Sequence, residues 1–235
     1  MPDVNIVESL EDARNRLRTA LTNAGRDPAS AHLLAVSKTQ PAASVRQAFE
    51  AGQREFGENY VQEALDKQAA LTDLDAIVWH FIGPLQSNKT RAVAEHFQWV
   101  HTLDRERIAR RLAAQRPPAL GPLDVCLQVN VSGEASKSGV APADLPALAD
   151  VVATLPQLRL RGLMTLPAPS DELATQRRPF AELRKLLASL RQRHPQAPLD
   201  TLSMGMSGDL EAAVLEGATW VRLGTAIFGQ RAPRA

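Results

Sequence analysis

The sequence is poor in cysteine, and this scarcity excludes several classes of protein. Its single cysteine, Cys126, cannot form a disulfide within the chain. No cysteine and histidine pairs stand at the spacings of zinc-binding modules, so we expect no metal site. The N-terminal residues lack the basic and apolar regions of a signal peptide, and no apolar run approaches the length of about 18 residues that a membrane-spanning helix requires. These absences favour a cytoplasmic protein without a membrane partner.

An excess of charge of one sign is also absent. The sequence contains 27 lysine and arginine residues and 26 aspartate and glutamate residues, which gives a formal net charge of +1. A chain so close to neutrality has no general attraction to nucleic acid or to anionic membranes. Aromatic residues make up only 4%, but hydrophobic residues make up 44%, an ordinary value for a globular protein with a large core.

Short apolar segments alternate with amphipathic segments of helical period along the whole chain. The first helical pattern, from Ile6 to Leu21, precedes the first strand. We predict eight strands, at His32–Ser37, Arg54–Glu58, Ile77–Ile82, Trp99–Leu103, Val125–Val131, Leu158–Met164, Asp200–Ser203 and Trp220–Leu223. Helices are predicted between them, at about residues 41–52, 59–71, 87–97, 104–115, 143–154, 172–193 and 208–216.

Repeated pairs of strand and helix predict a parallel sheet, because a parallel connection needs a helix-sized crossover. Eight such pairs predict a closed (β/α)₈ TIM barrel with an additional N-terminal helix, as one domain over residues 1–235. An open doubly wound sheet is the alternative, since it shows the same alternation but usually stops at about five or six strands. No linker or shift in composition divides the chain.

Polar residues stand at the carboxyl ends of the predicted strands, where a buried parallel strand is otherwise apolar. In a barrel these ends form the mouth of the active site, so we expect the polar side chains to converge there. The residues in question are Lys38, Glu58, Asn59, His80, Gln128, Asn130, Ser203 and Arg222.

Lys38 is the most informative of these residues. An amine among apolar strands loses hydration, which lowers its pKa and raises its nucleophilic fraction, so Lys38 is a candidate for a Schiff base. Two alternatives remain open at this point. Lys38 pairs with Glu58 or another carboxylate, or it holds a substrate phosphate as a point charge.

Two further segments are rich in small and hydroxyl residues, and a helical pattern follows the first of them. They are Ser203–Asp209, where Ser207 is a candidate N-cap, and Arg222–Gly229. In barrels, the loops after strands 7 and 8 often bind phosphate, although two ordinary turns explain these residues equally well. A Schiff-base lysine, a phosphate site and an arginine together suit the aldehyde, phosphate and ring nitrogen of pyridoxal 5′-phosphate (PLP).

Six runs of sequence resemble the pyridoxal phosphate homeostasis protein family, in the order of that family and over almost the whole chain. They are Leu34–Thr39 (LAVSKT), Phe56–Glu63 (FGENYVQE), Trp79–Lys89 (WHFIGPLQSNK), Arg161–Met164 (RGLM), Leu202–Ser207 (LSMGMS) and Val221–Gly229 (VRLGTAIFG). The resemblance implies a fold similar to the N-terminal barrel of alanine racemase. It also implies a protein that binds PLP and hands it on to PLP-dependent apoenzymes, without established catalytic residues.

The resemblance further implies roles for individual residues. Lys38 would carry the cofactor as an aldimine, and Arg222 would face the ring nitrogen. Lys137 would have a secondary role in cofactor exchange. The phosphate would be bound by Ser203, Ser207, Gly224 and Thr225, and Asn59 and Met164 would lie near the cofactor.

Two rival functions remain. A PLP-dependent racemase needs acid–base groups on both faces of its substrate, and in alanine racemase the second group comes from a further domain for which this sequence leaves no room. Tyr60, the single tyrosine, leaves few replacements. A phosphosugar enzyme would use Lys38 and the phosphate loops without a cofactor. Since the alanine racemase dimer relies partly on the further domain, we expect a monomer.

Overall fold

The computed structural model describes residues 4–133 and 138–230, and these residues form one closed barrel. Neighbouring strands pair in parallel in chain order, and the first strand pairs with the last through Leu34 and Arg222. This closure confirms the predicted TIM barrel, and the open sheet is wrong. The strands are β1 (His32–Val36), β2 (Glu55–Glu58), β3 (Val78–Phe81), β4 (Trp99–Leu103), β5 (Leu123–Gln128), β6 (Leu158–Met164), β7 (Thr201–Ser203) and β8 (Trp220–Leu223).

Among the described residues, eight helices agree with the predicted patterns to within a few residues, and a short ninth helix after β8 was not predicted. The N-terminal helix precedes β1 and the others follow their strands. They are α1 (Ile6–Asn23), α2 (Ala42–Glu50), α3 (Val61–Ala70), α4 (Thr90–His96), α5 (Glu106–Gln115), α6 (Leu145–Ala153), α7 (Leu173–Arg193), α8 (Leu210–Leu215) and α9 (Thr225–Phe228). Strand β5 ends three residues earlier than predicted, at Gln128, and Val129 makes only an isolated bridge to Val140.

The additional helix α1 forms because its apolar residues recur on one face. Asn5 caps it by accepting the main-chain N–H of Glu8 at 3.3 Å, and Leu10 and Leu17 lie on the buried face. That face packs against α2, α8 and α9, where the barrel closes between β8 and β1. The helix therefore covers the junction between β8 and β1.

The largest apolar cluster lies between the strands and the surrounding helices. A second set of side chains fills the inside of the barrel. Trp220 on β8 contacts Trp99 on β4 with ring centroids 6.1 Å apart, although β4 and β8 are not neighbours in the sheet. Contacts of this kind occur only across the barrel interior, which these tryptophans share with Leu34, Val36, Ile82, Cys126 and Met164.

The described residues show neither a membrane-spanning helix nor a cluster of metal ligands. No helix among residues 4–133 and 138–230 is long and apolar enough to cross a membrane. The same residues contain no group of three or more histidine, cysteine, aspartate or glutamate side chains arranged to hold a metal ion.

Candidate functional site

A pocket of about 320 Å³ opens at the carboxyl ends of the strands, the end where barrels carry their functional sites. Residues from β1, β6 and β8 and from the segments that follow β1, β2, β3, β6, β7 and β8 converge on it. The lining consists of Val36, Lys38, Asn59, Ile82, Met164, Leu166, Met206, Ser207, Gly208, Arg222, Gly224 and Thr225. Of the eight residues predicted to bind the cofactor, all except Ser203 are among them.

Lys38 lies two residues beyond the end of β1, and two side chains of α3, the buried Lys67 and the half-buried Glu63, hold the backbone on both sides of it. On one side, the carbonyl of Ser37 accepts a hydrogen bond from Lys67 Nζ at 2.6 Å. On the other side, the N–H of Thr39 donates to Glu63 Oε1 at 2.5 Å, and Thr39 adopts a left-handed conformation with φ of 65°. We call these contacts of Lys67 and Glu63 the Lys38 clamp. These contacts fix the main chain on both sides of Lys38.

The contacts of Glu58 bear on the predicted alternative in which Lys38 pairs with Glu58. Glu58 Oε1 accepts from Lys67 Nζ at 2.7 Å and from the Ser37 hydroxyl at 2.6 Å, so Lys67 from α3 is its ionic partner. The Glu58 side chain has no exposed surface, and this burial raises the pKa of its carboxyl, against the opposing effect of the Lys67 charge. The structure therefore does not show the alternative pair of Lys38 and Glu58.

Arg222 reaches the pocket from β8 with its guanidinium anchored on the side away from the opening. Nη1 donates to Ser203 Oγ at 2.8 Å, and Nη2 donates to the carbonyl of Thr165 at 3.0 Å. Burial lowers the pKa of Arg222 to about 10, so the side chain still carries its positive charge at neutral pH. A fixed cation thus borders the pocket.

Ser203 and His80 lie elsewhere than the strand-end pattern predicts. Ser203 is fully buried, and its hydroxyl contacts Arg222 and His101 Nδ1 inside the barrel instead of lining the pocket. His80 also points into the barrel, where it contacts His101 and Glu55. We call the set Glu55, His80, His101, Ser203 and Arg222 the interior network. The strand pattern alone did not reveal it, because its links cross between strands.

Ser207 is not the N-cap of α8, contrary to the sequence prediction. The helix begins at Leu210, Asp209 occupies the N-cap position, and the Asp209 carboxylate accepts the N–H of Met206 at 2.6 Å. The Ser207 hydroxyl is thus left exposed at the rim of the pocket. Gly224 and Thr225 lie across the same opening, at the start of α9.

Asn59 borders the pocket with an unsatisfied polar atom. Its Oδ1 is buried and has no hydrogen-bond partner among the described residues. Gly83 lies against the Asn59 main chain, so closely that a Cβ at residue 83 would be 2.1 Å from the Asn59 carbonyl oxygen. Asn59 thus brings a buried oxygen without a partner among the described residues to the edge of the pocket.

Comparison with known proteins identifies the family. The sequence profile described as "Alanine racemase, N-terminal domain" matches residues 9–232. A pyridoxal phosphate homeostasis protein of Pseudomonas aeruginosa is 65% identical over 226 residues, which are 96% of each chain. The protein of the same name from Escherichia coli K12 is 53% identical over 229 residues, 97% of each chain. The chain belongs to the pyridoxal phosphate homeostasis protein family.

Solved structures agree with this assignment. PipY of Synechococcus elongatus, in a structure with PLP bound, is 43% identical, with a TM-score of 0.84 over 96% of this chain and 100% of PipY. Alanine racemase of Corynebacterium glutamicum is 18% identical, with a TM-score of 0.70 over 99% of this chain and 63% of the racemase. The racemase likeness concerns the fold alone.

Several pocket residues of this family member were missed by reasoning from sequence. Val36 was recognisable as a lining residue, because it shares a face with Lys38 at the two-residue period of a strand. The others have apolar side chains or none, and nothing in the sequence separates them from core residues; they are Ile82, Leu166, Met206 and Gly208. Gln128 and Asn130 do not line the pocket, and the predicted exchange residue Lys137 lies outside the described residues.

Proposed function

We propose that this protein binds PLP in the pocket, holds it as a Schiff base on Lys38 and releases it to PLP-dependent apoenzymes. One observation carries the proposal: Lys38, Arg222 and two hydroxyl side chains line one cavity of about 320 Å³. The names of the relatives and the PipY structure with PLP bound support the same cofactor. The function is PLP homeostasis by one cofactor-binding domain over residues 1–235.

The cofactor supplies an aldehyde, with which the Lys38 amine condenses as one water molecule leaves. The Lys38 clamp serves this bond because it anchors the residues before and after Lys38. Because the backbone is already fixed, less conformational entropy is lost when Lys38 binds the cofactor. We assign no catalytic role to Lys67 or Glu63, since both contact the main chain beside Lys38.

Arg222 is the residue that we assign to the ring nitrogen. Its charge persists at neutral pH, and Ser203 and Thr165 hold its guanidinium. Since a second positive charge beside this cation is unfavourable, Arg222 keeps the ring nitrogen unprotonated. An unprotonated ring withdraws electrons weakly, which suits a protein that stores the cofactor.

The remaining lining residues fit the other groups of the cofactor. The hydroxyls of Ser207 and Thr225, with the small Gly224 next to Thr225, are donors for the phosphate at the exposed rim. Ser203 does not line the pocket, so we assign it to the support of Arg222 and not to the phosphate. The unpartnered Oδ1 of Asn59 is an acceptor for the phenolic hydroxyl, and Met164 packs beside it.

The pocket favours a carrier over a racemase. Racemisation needs acid–base groups on both faces of the substrate. Among the described lining residues, Lys38 is the one side chain suited to accept a proton, because Arg222 stays charged. Tyr60 is exposed and does not line the pocket.

The test is the visible spectrum of the protein after addition of PLP. We expect a yellow band that borohydride fixes, with the label on the peptide that contains Lys38. The band is absent in Lys38→Ala and retained in the matched control Lys89→Ala, which changes an exposed lysine. A wild type that stays colourless, or a Lys38→Ala variant that keeps the band, would refute the proposal.

Two assays separate the carrier from the rival enzyme. Protein loaded with PLP is mixed with a PLP-free aminotransferase, and we expect the aminotransferase to regain activity. Loaded protein is also incubated with L-alanine, and we expect no D-alanine above the level formed by free PLP. Racemisation that depends on Lys38 would replace the carrier with a catalyst.

A further inference from the structure

The interior network crosses the barrel from one end to the other. Glu55 Oε2 lies 2.7 Å from His80 Nε2, and His80 Nδ1 lies 2.8 Å from His101 Nε2. His101 Nδ1 lies 2.7 Å from Ser203 Oγ, which in turn lies 2.8 Å from Arg222 Nη1. Glu55 is the first residue of β2, at the end of the barrel opposite the pocket, and Arg222 borders the pocket.

The chemistry of the end groups gives the network a direction. A guanidinium only donates, so Ser203 Oγ accepts from Arg222. The Ser203 hydroxyl then donates its own proton to His101 Nδ1. His101 consequently carries its proton on Nε2 and donates to His80 Nδ1, and His80 donates from Nε2 to the Glu55 carboxylate. Every link is then satisfied with both histidines neutral.

The opposite direction leaves a group unsatisfied. If His101 Nδ1 carried a proton, Ser203 would accept from both His101 and Arg222. Its own proton would then have no acceptor among the contacts that the described residues make with this hydroxyl. Since Ser203 has no exposed surface, water does not replace that acceptor. The network therefore has one fully satisfied arrangement.

Aromatic packing holds the two imidazole rings in place. Trp99 stacks on His80 with centroids 5.4 Å apart and an interplanar angle of 7°. Trp220 meets the same ring edge-on at 5.0 Å. Both histidines are fully buried, so their rings cannot turn to another partner without breaking these contacts.

We propose that His101, His80 and Glu55 are positioning residues for Arg222. They orient the Ser203 hydroxyl so that it accepts from the guanidinium, and this fixes the remaining Arg222 donors toward the ring nitrogen of PLP. The inference rests on the proposed function for the identity of the ligand. The direction of the network does not depend on any ligand.

The first experiment therefore uses the protein without PLP. Long-range ¹⁵N–¹H correlation spectra of histidine-labelled protein report which nitrogen of each ring carries the proton. We expect neutral Nε2–H tautomers for His80 and His101 at pH 7. In Glu55→Ala, which removes the final acceptor, we expect mixed tautomers at both rings. A charged ring or an Nδ1–H tautomer in the wild type would refute the assigned direction.

The second experiment measures PLP affinity and the position of the absorption band. Ser203→Ala removes the Arg222 acceptor and should weaken binding about tenfold, while Glu55→Ala should weaken it about threefold. Both should shift the band, and Glu55→Gln should restore part of the affinity because its amide oxygen still accepts. The control Asp73→Asn removes an exposed carboxylate just before β3, at the same end as Glu55, and should change neither readout.

The outcomes separate this inference from the proposed function. Unchanged PLP affinity and an unchanged spectrum in both Glu55 variants would overturn the positioning role but not the proposed binding of PLP. This comparison does not depend on how well Ser203→Ala folds. A wild type that binds no PLP would overturn both proposals, and the tautomers would then describe a structural network only. An equal effect of Asp73→Asn would attribute the Glu55 result to overall charge and refute the network.

Discussion

The ammonium group of Lys67 donates to the carbonyl of Ser37 at 2.6 Å, directly before the lysine that we assign to the cofactor. The same nitrogen contacts Glu58 at 2.7 Å and Glu63 at 2.6 Å. One buried side chain of α3 thus ties together β1, β2 and the loop that carries Lys38. Stability and cofactor binding should therefore both depend on Lys67.

Lys67→Met should lower the free energy of unfolding by about 3 kcal/mol, because it leaves the buried Glu58 carboxylate without its ionic partner. PLP affinity should fall in the same variant, since the backbone beside Lys38 loses an anchor. Urea unfolding and absorption titration measure the two effects. The double variant Lys67→Met/Glu58→Gln should recover part of the stability.

A matched control distinguishes burial from ion pairing in general. Arg46→Met breaks an exposed pair with Asp73 and should leave the urea midpoint unchanged. Equal losses of stability in Arg46→Met and Lys67→Met would contradict the importance that we give to the buried pair of Lys67 and Glu58.

His101 should make the stability depend on pH. Burial, with the nearby His80 and the Arg222 charge, holds the pKa of folded His101 well below its ordinary value of 6.5. The unfolded state therefore binds more protons between the two pKa values. The stabilisation is present above pH 6.5 and is lost as the pH falls toward the folded pKa, with a slope of up to about 1.4 kcal/mol per pH unit.

Urea unfolding of the wild type and His101→Gln at pH 7, 6 and 5 measures this dependence. The loss of stability on acidification should be smaller in the variant, whatever its stability at pH 7. Parallel pH profiles for the two proteins would show that His101 does not titrate on unfolding.

Gly83 should prove essential for the position of Asn59. A Cβ at residue 83 would lie 2.1 Å from the Asn59 carbonyl oxygen and 2.7 Å from its Cα, so Gly83→Ala must displace the main chain. We expect a loss of about 2 kcal/mol in stability, typical of overpacking, together with weaker PLP binding. Urea unfolding and absorption titration provide the measurements.

Gly208→Ala is the control for this prediction. A Cβ at residue 208 meets no atom within 4 Å, so stability should change by less than about 0.5 kcal/mol. If Gly83→Ala were as stable as Gly208→Ala, the close approach of Gly83 to Asn59 would not matter for the fold.

Cys126 should be inert in the folded protein. Its side chain is fully buried inside the barrel, and burial raises the pKa of the thiol, so little thiolate forms. A thiol reagent at pH 8 should label one cysteine after unfolding in urea and none before. Rapid labelling without denaturant would show that the barrel opens around β5.

Much of the fold was readable from local sequence. The two-residue alternation of strands and the helical period of the segments between them gave the order of the elements, and each strand end located a polar residue such as Lys38 or Asn59. These features depend on residues close together in the chain. Small residues marked the loops after β7 and β8 as candidate phosphate sites, and the family resemblance implied Ser207, Gly224 and Thr225 within them.

The partners of the buried polar groups were decided by tertiary structure. Glu58 ends β2, and Lys38 follows the neighbouring strand β1. The ionic partner of Glu58 is nevertheless Lys67 from α3. His80 was expected at the mouth, yet it faces the interior and meets His101 there. Strand patterns place a side chain on one face or the other, but they do not say which strand lies opposite.

The amino-acid sequence by itself thus determined the βα repeat, the strand-end position of Lys38 and the family to which the chain belongs. Only the tertiary structure decided that Ser203 supports Arg222 from inside the barrel and that a network reaches from there to Glu55. The physical reason is the closure of the barrel. When β8 pairs with β1, strands that are far apart in sequence face each other across the barrel, and their buried polar groups must find partners there.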